Sequence, residues 1–157
     1  MQEQFYSDSE IFPEKQVVYG TFWERFAAAF IDGIIVTVVN VIIGLLLGVG
    51  LFRPSGTPLT GNAILAQLVQ LAFGWLYFAV QESSSRQATV GKRAMNLKVT
   101  DMEGKRISFG RATGRHFAKW ISAIILLIGY LMMLWDDKKQ TLHDKIAGTL
   151  VVDNRIG

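Results

Sequence analysis

The sequence predicts an all-α membrane protein with two full transmembrane helices, a third apolar segment and a small cytoplasmic β-hairpin-like element. Three observations carry this expectation. Residues 26–52, FAAAFIDGIIVTVVNVIIGLLLGVGLF, form one apolar run long enough to cross a bilayer. A second run, AILAQLVQLAFGWLYFAV, follows after a short turn-rich linker. Half of the 157 residues are hydrophobic, which suits one compact membrane domain.

The elements read in order as follows. Residues 1–18 are a polar, mildly acidic and flexible tail without the basic and short apolar regions of a signal peptide. Span 1 covers about 22–51, with Trp23 placed as an interfacial anchor. At 1.5 Å per residue it exceeds a roughly 30 Å hydrocarbon core, so it tilts or extends into the interface. The linker RPSGTPLTGN is rich in turn formers, and span 2 covers about 62–81.

Residues 82–116 are the main polar region. They carry Arg86, Lys92, Arg93, Lys98, Lys105, Arg106, Arg111 and Arg115 against Glu82, Asp101 and Glu103. The linker between the spans has one basic residue, Arg53, so the positive-inside rule places 82–116 in the cytoplasm. The N-terminus, two crossings earlier, is then cytoplasmic as well. Within this loop MNLKVTDMEGKRIS reads as a strand, a turn at Gly104 and a return. Ser108 is placed to cap an amphipathic helix, FGRATGRHFAKW.

The third apolar segment, 117–135, admits two readings. A plain third span would put Lys138, Lys139, Lys145 and Arg155 outside, against the charge rule, and would separate NLKVTD from TLVVD. A lone strand is unstable, so each of the two β-like pieces is the other's simplest partner, which requires both on the same side. The other reading is a broken or re-entrant helix near Gly129, followed by the C-terminal segment 136–157.

Candidate site residues begin with Asp32. A carboxylate at membrane depth is costly and faces protein, water or a partner charge. Desolvation favours the neutral form of an unpaired buried carboxyl, which suits a proton-exchanging site and an inert acid equally. Arg25 lies seven residues earlier, roughly 10 Å along the axis, and leans the other way, so a direct pair between them is not expected. Arg25 then holds a lipid phosphate or a carboxylate from elsewhere. Asp32 awaits a basic group from 111–145, a cation or a proton. Asn40 and Gly44 continue the polar face of span 1, and Gln67, Gln70, Gly74, Tyr77 and Gln81 line a matching stripe on span 2. Such stripes line a cavity or glue two helices together.

Basic residues Arg111, Arg115 and Lys119 would attract anionic lipid headgroups at about 1 kcal/mol each. The same charges explain topology, so nucleic acid is not an expected partner. The piece ATVGKR is similar to a phosphate-binding loop but lacks its first glycine and the hydroxyl residue after Lys92. It reads as a basic juxtamembrane turn. The absence of cysteine excludes thiol and thiolate chemistry. The His143–Asp144 doublet, with His116 the only other histidine, makes no metal set. No metal, cofactor or enzymatic activity is expected.

The stretches FWERFAAAFIDGIIV, ATVGKRAMNLKVTDMEGKRISFGRA and KKQTLHDKIAGTLVV, in that order, closely resemble the RDD family of small bacterial membrane proteins. The resemblance covers about 19–153 and defines an RDD-like membrane domain over 19–157. It implies that Arg25 and Asp32 are the family's arginine and first aspartate. The second aspartate maps best onto Asp144, with Asp137 as the alternative. It also implies a multi-pass protein of the inner membrane and transport of an unidentified ligand. For some members sodium/proton antiport is implied, and for distant relatives an accessory role in membrane complexes. On that basis Asp32 and Asp144 would handle a small cation or proton, in a homo-oligomer because three short segments enclose little volume. The rival expectation is a non-transporting scaffold whose Arg/Asp network is structural.

Overall fold

The computed structural model describes residues 17–49, 58, 60–124 and 128–155. The expected tail 1–18 and the linker between the spans fall largely outside these residues.

Helix α1 (Phe22–Leu46) starts at a capping box. The Thr21 Oγ1 accepts from the Glu24 amide and Glu24 Oε2 accepts from the Thr21 amide. The helix ends earlier than the apolar run. Gly48 takes φ +71° and the Val49 N–H turns back to the Gly44 carbonyl, so the helical part of span 1 stops at Leu46 rather than near 51. Its 25 residues reach about 37 Å, still enough to cross a bilayer. Helix α2 (Gly61–Glu82) begins at Thr60, whose hydroxyl caps the Ala63 amide. Most large apolar side chains of both helices face outward, including Phe26, Phe30, Ile34, Val38, Leu68 and Leu76. Both are long and apolar enough to cross a membrane.

The expected loop 82–116 is largely structured. Helix α3 (Val90–Ala94) is capped by Thr89, and strand β1 (Leu97–Asp101) follows it. The chain turns at Gly104, where φ is +79°, but no returning strand forms after it. The partner of β1 is instead β2 (Thr149–Asp153), paired antiparallel from Leu97 with Asp153 to Asp101 with Thr149. On its other side β2 meets the chain leading into α1. The Gly20 N–H donates to Val151 O at 3.0 Å and the Asp153 N–H to Val18 O at 2.8 Å. The local hairpin after Gly104 is therefore not formed, whereas the expected pairing of NLKVTD with TLVVD is, stabilised by Leu97, Val99 and Val151 packing on Ala28, Ala79 and Ala112.

This pairing fixes an important relation. The entry to α1, the segment after α2 and the C-terminal strand are hydrogen-bonded together, so they share one side of the molecule.

The third apolar segment is not one helix. Helix α4 (Phe109–Ile124) begins well before residue 117, with the Ser108 hydroxyl accepting from the Arg111 amide. A short helix α5 (Ile128–Leu131) and one 3-10 turn (Met132–Leu134) complete the stretch. The chain folds back here. A Cβ on Gly129 would lie 2.9 Å from Ser122 Cβ, so α5 rests directly on α4 and only glycine fits. Helix α6 (Leu142–Ala147) closes with Gly148 in the left-handed region and leads into β2.

Candidate functional site: a charge chain across five helices

Arg25 sits in the first turn of α1, where its fork is almost fully used. Nη1 donates to Asp144 Oδ2 at 2.6 Å, Nη2 to Lys139 O at 2.7 Å and Nε to Gly20 O at 3.2 Å. Asp144 lies in the first turn of α6, completely buried. Its Oδ2 also accepts from the Thr141 amide, and its Oδ1 faces Arg115 Nη2 at 2.8 Å. Arg115, buried on α4, reaches Glu82 Oε2 at 3.4 Å with its other nitrogen. Glu82, the buried last residue of α2, holds Lys92 of α3 at 2.5 Å. Lys119, one turn beyond Arg115, stands 3.9 Å from Glu82 and 4.3 Å above the Phe78 ring.

The result is an alternating series, Arg25, Asp144, Arg115, Glu82 and Lys92. Each member comes from a different helix: α1, α6, α4, α2 and α3 in turn. Charges this deep persist only when paired and hydrogen-bonded, and here each acid lies between two cations. Burial works to raise the Asp144 carboxyl, but Arg115 and then Arg25 outweigh it and hold the group well below the usual carboxylate range. Arg115 is opposed by burial too, and Asp144 and Glu82 keep it firmly protonated. Burial brings Lys119 down to about 8, against the pull of Glu82. Burial likewise lowers His143 to about 3; its Nε2 lies 3.0 Å from the Thr141 hydroxyl.

Asp32 stands apart from this series. Its Oδ1 accepts from the Tyr77 hydroxyl at 2.8 Å and the Gly91 amide at 2.8 Å. Its Oδ2 accepts from the Thr89 hydroxyl at 2.5 Å. Among the described residues no basic side chain pairs with it, so of the three expected partners, a basic group from 111–145, a cation or a proton, the first is not the one found. Its hydrogen bonds come from neutral donors on α2 and at the start of α3. The contact depends on glycine, because a Cβ on Gly91 would lie 2.1 Å from the Ala28 carbonyl oxygen. ATVGKR is thus a cap on Asp32.

Other expected residues fare differently. Asp137 is exposed, and it is Asp136 that pairs with Lys145 and accepts from the Lys138 and Gln140 amides. Arg115 lies inside the charge series and is not available to headgroups, a correction that its buried side chain makes plain. Arg111 is exposed and Lys119 half-buried. The two polar stripes meet where the Tyr77 hydroxyl donates to Asp32 and where Gln70 Nε2 donates to Asn40 O at 2.8 Å beside Gly44. Gln67 faces outward.

Sequence reasoning placed Tyr77 on the stripe facing span 1 but did not single out Glu82, Thr89, Gly91 or Lys92 as site residues. The available signals were an acid closing an apolar run just before a basic stretch, and a threonine cap two residues ahead of a glycine.

The RDD family model matches residues 19–148, which spans α1 through α6 and every charge just described. The chain belongs to the RDD family. Within the matched residues Arg25 pairs with Asp144, while Asp32 caps α3. The chain is 37% identical over 144 residues to Uncharacterized protein YxaI of Bacillus subtilis (strain 168), covering 83% of this chain and 95% of that one. It is 28% identical over 148 residues to Uncharacterized membrane protein YteJ of the same organism, covering 88% and 83%. A third relative is the Proline-rich antigen homolog of Mycobacterium tuberculosis (strain H37Rv), 40% identical over 97 residues. That match takes 57% of this chain but 40% of the larger relative. No solved structure matches. The family, the two apolar helices and the likeness to a membrane protein make this RDD chain a membrane protein.

Proposed function

We propose that this RDD protein is a membrane scaffold whose Arg/Asp network is a structural clamp. The network holds the polar cap of the fold, α3, α6 and the two strands, onto the helical hairpin. One observation carries this reading: the five charges of the series come from five different helices and are spent on one another. Asp32 accepts three hydrogen bonds from neutral donors, so a cation would have to displace groups already in place. On this reading the apolar outer faces of α1 and α2 meet lipid, further copies or a partner's helices. The protein carries no catalytic activity.

The side shared by the α1 entry, β1 and β2 is assigned to the cytoplasm of a bacterial inner membrane. The basic surplus of 82–116 over the single Arg53 of the linker supports that orientation. The two spans then enter and leave from the same face.

Cation/proton exchange keeps one supporting observation of its own. Lys119 lies 3.9 Å from Glu82 at the end of α2 and titrates near 8, so a proton there would exchange at working pH. Proteoliposomes under imposed sodium, potassium or proton gradients decide between the two. The clamp predicts no flux from wild type, together with lowered melting temperatures for Asp32→Asn and Asp144→Asn. Flux abolished by Lys119→Gln in a protein that melts like wild type would establish exchange and overturn the clamp as the function.

A further inference from the structure

The way α4 meets α2 shows how the third apolar segment relates to the bilayer. Phe109 and Phe117 are eight residues apart, about 12 Å along a helix axis. Both rings nevertheless touch the same indole, that of Trp75, at centroid distances of 5.8 and 6.4 Å. Thr113, midway between them, accepts from Trp75 Nε1 at 3.1 Å. Motion along α4 therefore stays at one level of α2. Motion along α2 instead travels around α4: Phe78 meets His116 and Lys119, and Glu82 meets Arg115 and Lys119. Two helices with this pattern cross at a steep angle. If α2 crosses the bilayer, α4 lies closer to its plane than to its normal.

The same contacts orient α4 about its axis. Arg115 points to the Glu82 end of α2 and to α6, beneath the polar cap. Phe117, Trp120 and Ile121 lie about 120–160° around the helix from Arg115. Phe117 shares the level of Trp75, seven residues or about 10 Å deeper along α2 than Glu82. Trp120 is 52% and Ile121 49% exposed, and Leu134 and Trp135 beyond the fold-back are more so.

We infer that α4 is an interfacial helix, with Phe117, Trp120 and Ile121 immersed in the acyl chains of one leaflet and the segment returning without crossing. Three observations select lipid as the occupant. The face is continuous, through Trp75, with the outward apolar surface of α2 at Leu71 and Leu76. Its exposed aromatics are Phe117 and Trp120, and tryptophan favours the headgroup boundary. Arg111, exposed on the same helix and only loosely paired with Asp101 at 3.9 Å, is free to reach an anionic headgroup. The inference rests on α2 crossing the bilayer and not on the scaffold reading, so either stands if the other fails.

The chain has no cysteine, so a single introduced one is a unique label site. Nitroxide labels at Phe117→Cys, Trp120→Cys and Ile121→Cys are compared with Ile34→Cys in mid-span and Lys138→Cys as the aqueous reference. The full chain is placed in vesicles of phosphatidylethanolamine and phosphatidylglycerol, and depth is read from the collision rates with oxygen and with a water-soluble nickel complex. The expected depth is roughly 5–10 Å below the headgroups at the three α4 sites. Ile34 should read near the bilayer centre, about 15 Å down. Any of three results overturns the inference: labels on α4 as nickel-accessible as Lys138, labels as deep as Ile34, or spin–spin broadening that reports a second copy on this face. All three labelled positions are exposed, so agreement of any two guards against one misfolded variant.

Discussion

Gly91→Ala is the sharpest test of how Asp32 is held. The added methyl would sit 2.1 Å from the Ala28 carbonyl oxygen and 2.9 Å from Asp32 Cγ, against backbone and a fixed carboxylate rather than a yielding side-chain tip. Relief requires α3 to back away from α1. That separation also breaks the 2.8 Å bond from the Gly91 amide to Asp32 and stretches the one from Thr89. Overpacking costs about 1–3 kcal/mol. Leaving the buried Gly91 amide unpaired adds about 1–3 kcal/mol. The sum is about 2–6 kcal/mol, and a cost of about 3 kcal/mol at roughly 2–4 °C per kcal/mol lowers the melting temperature by about 6–12 °C. Thermal unfolding followed by tryptophan fluorescence in detergent micelles measures it. Gly33→Ala in α1 and Gly74→Ala in α2 provide the contrast, since a Cβ there meets nothing within 4 Å. Those helical positions should hold steady or gain about 0.5–1 kcal/mol from helix propensity. A Gly91→Ala protein that melts with wild type would refute the close approach and the cap built on it.

Three further outcomes follow from the site. His143 is lowered to about 3 by burial, whereas the unfolded chain takes up a proton near 6.5. The unfolded state then binds more protons in that window, so stability falls as pH drops from 6.5 toward 3, by up to roughly 1.4 kcal/mol per unit; His143→Gln should flatten the slope in a pH series of melts. Arg25→Lys keeps the charge but cannot serve Asp144, Lys139 O and Gly20 O together, so it should lower the melting temperature measurably, where an unchanged melt would show that charge alone suffices. Arg155→Ala removes the exposed contacts to Glu24 and Asp153 and should leave the melting temperature within error of wild type.

The membrane part of the fold was legible in the sequence because apolar runs and their flanking charges are local signals. Arg25, Asp32 and Asp144 were singled out through resemblance, and helix geometry already argued against pairing Arg25 with Asp32. What lay hidden was long-range. Asp32 finds Thr89 and Gly91 across nearly sixty residues, through a five-residue helix too short to announce itself by periodicity. Arg115 read as a headgroup ligand because a basic residue beside an apolar segment looks the same whether it faces lipid phosphate or Glu82. The pairing of NLKVTD with TLVVD, by contrast, was legible because neither strand is stable alone, and the fully buried Thr149–Asp153 takes the place of the return strand expected after Gly104.

A charge series needs justification here, because desolvating five ions costs several kcal/mol each before any pairing is counted. Apolar packing between spans offers little specificity in lipid, where chains of hydrocarbon are as good a neighbour as leucine. Alternating charges from five helices discriminate better, since removing one helix strands an ion from another. Arg115 is the hinge of this argument, with Asp144 on one side and Glu82 on the other. Asp144→Asn alone leaves it Glu82, and Glu82→Gln alone leaves it Asp144. The double variant leaves the buried guanidinium with neither acid. The pair should therefore cost more than the sum of its singles, by about 0.5–3 kcal/mol in a double-mutant cycle read from chemical unfolding in micelles. Additivity would mean two independent ion pairs, and the notion of one clamp running through five helices would have to be given up.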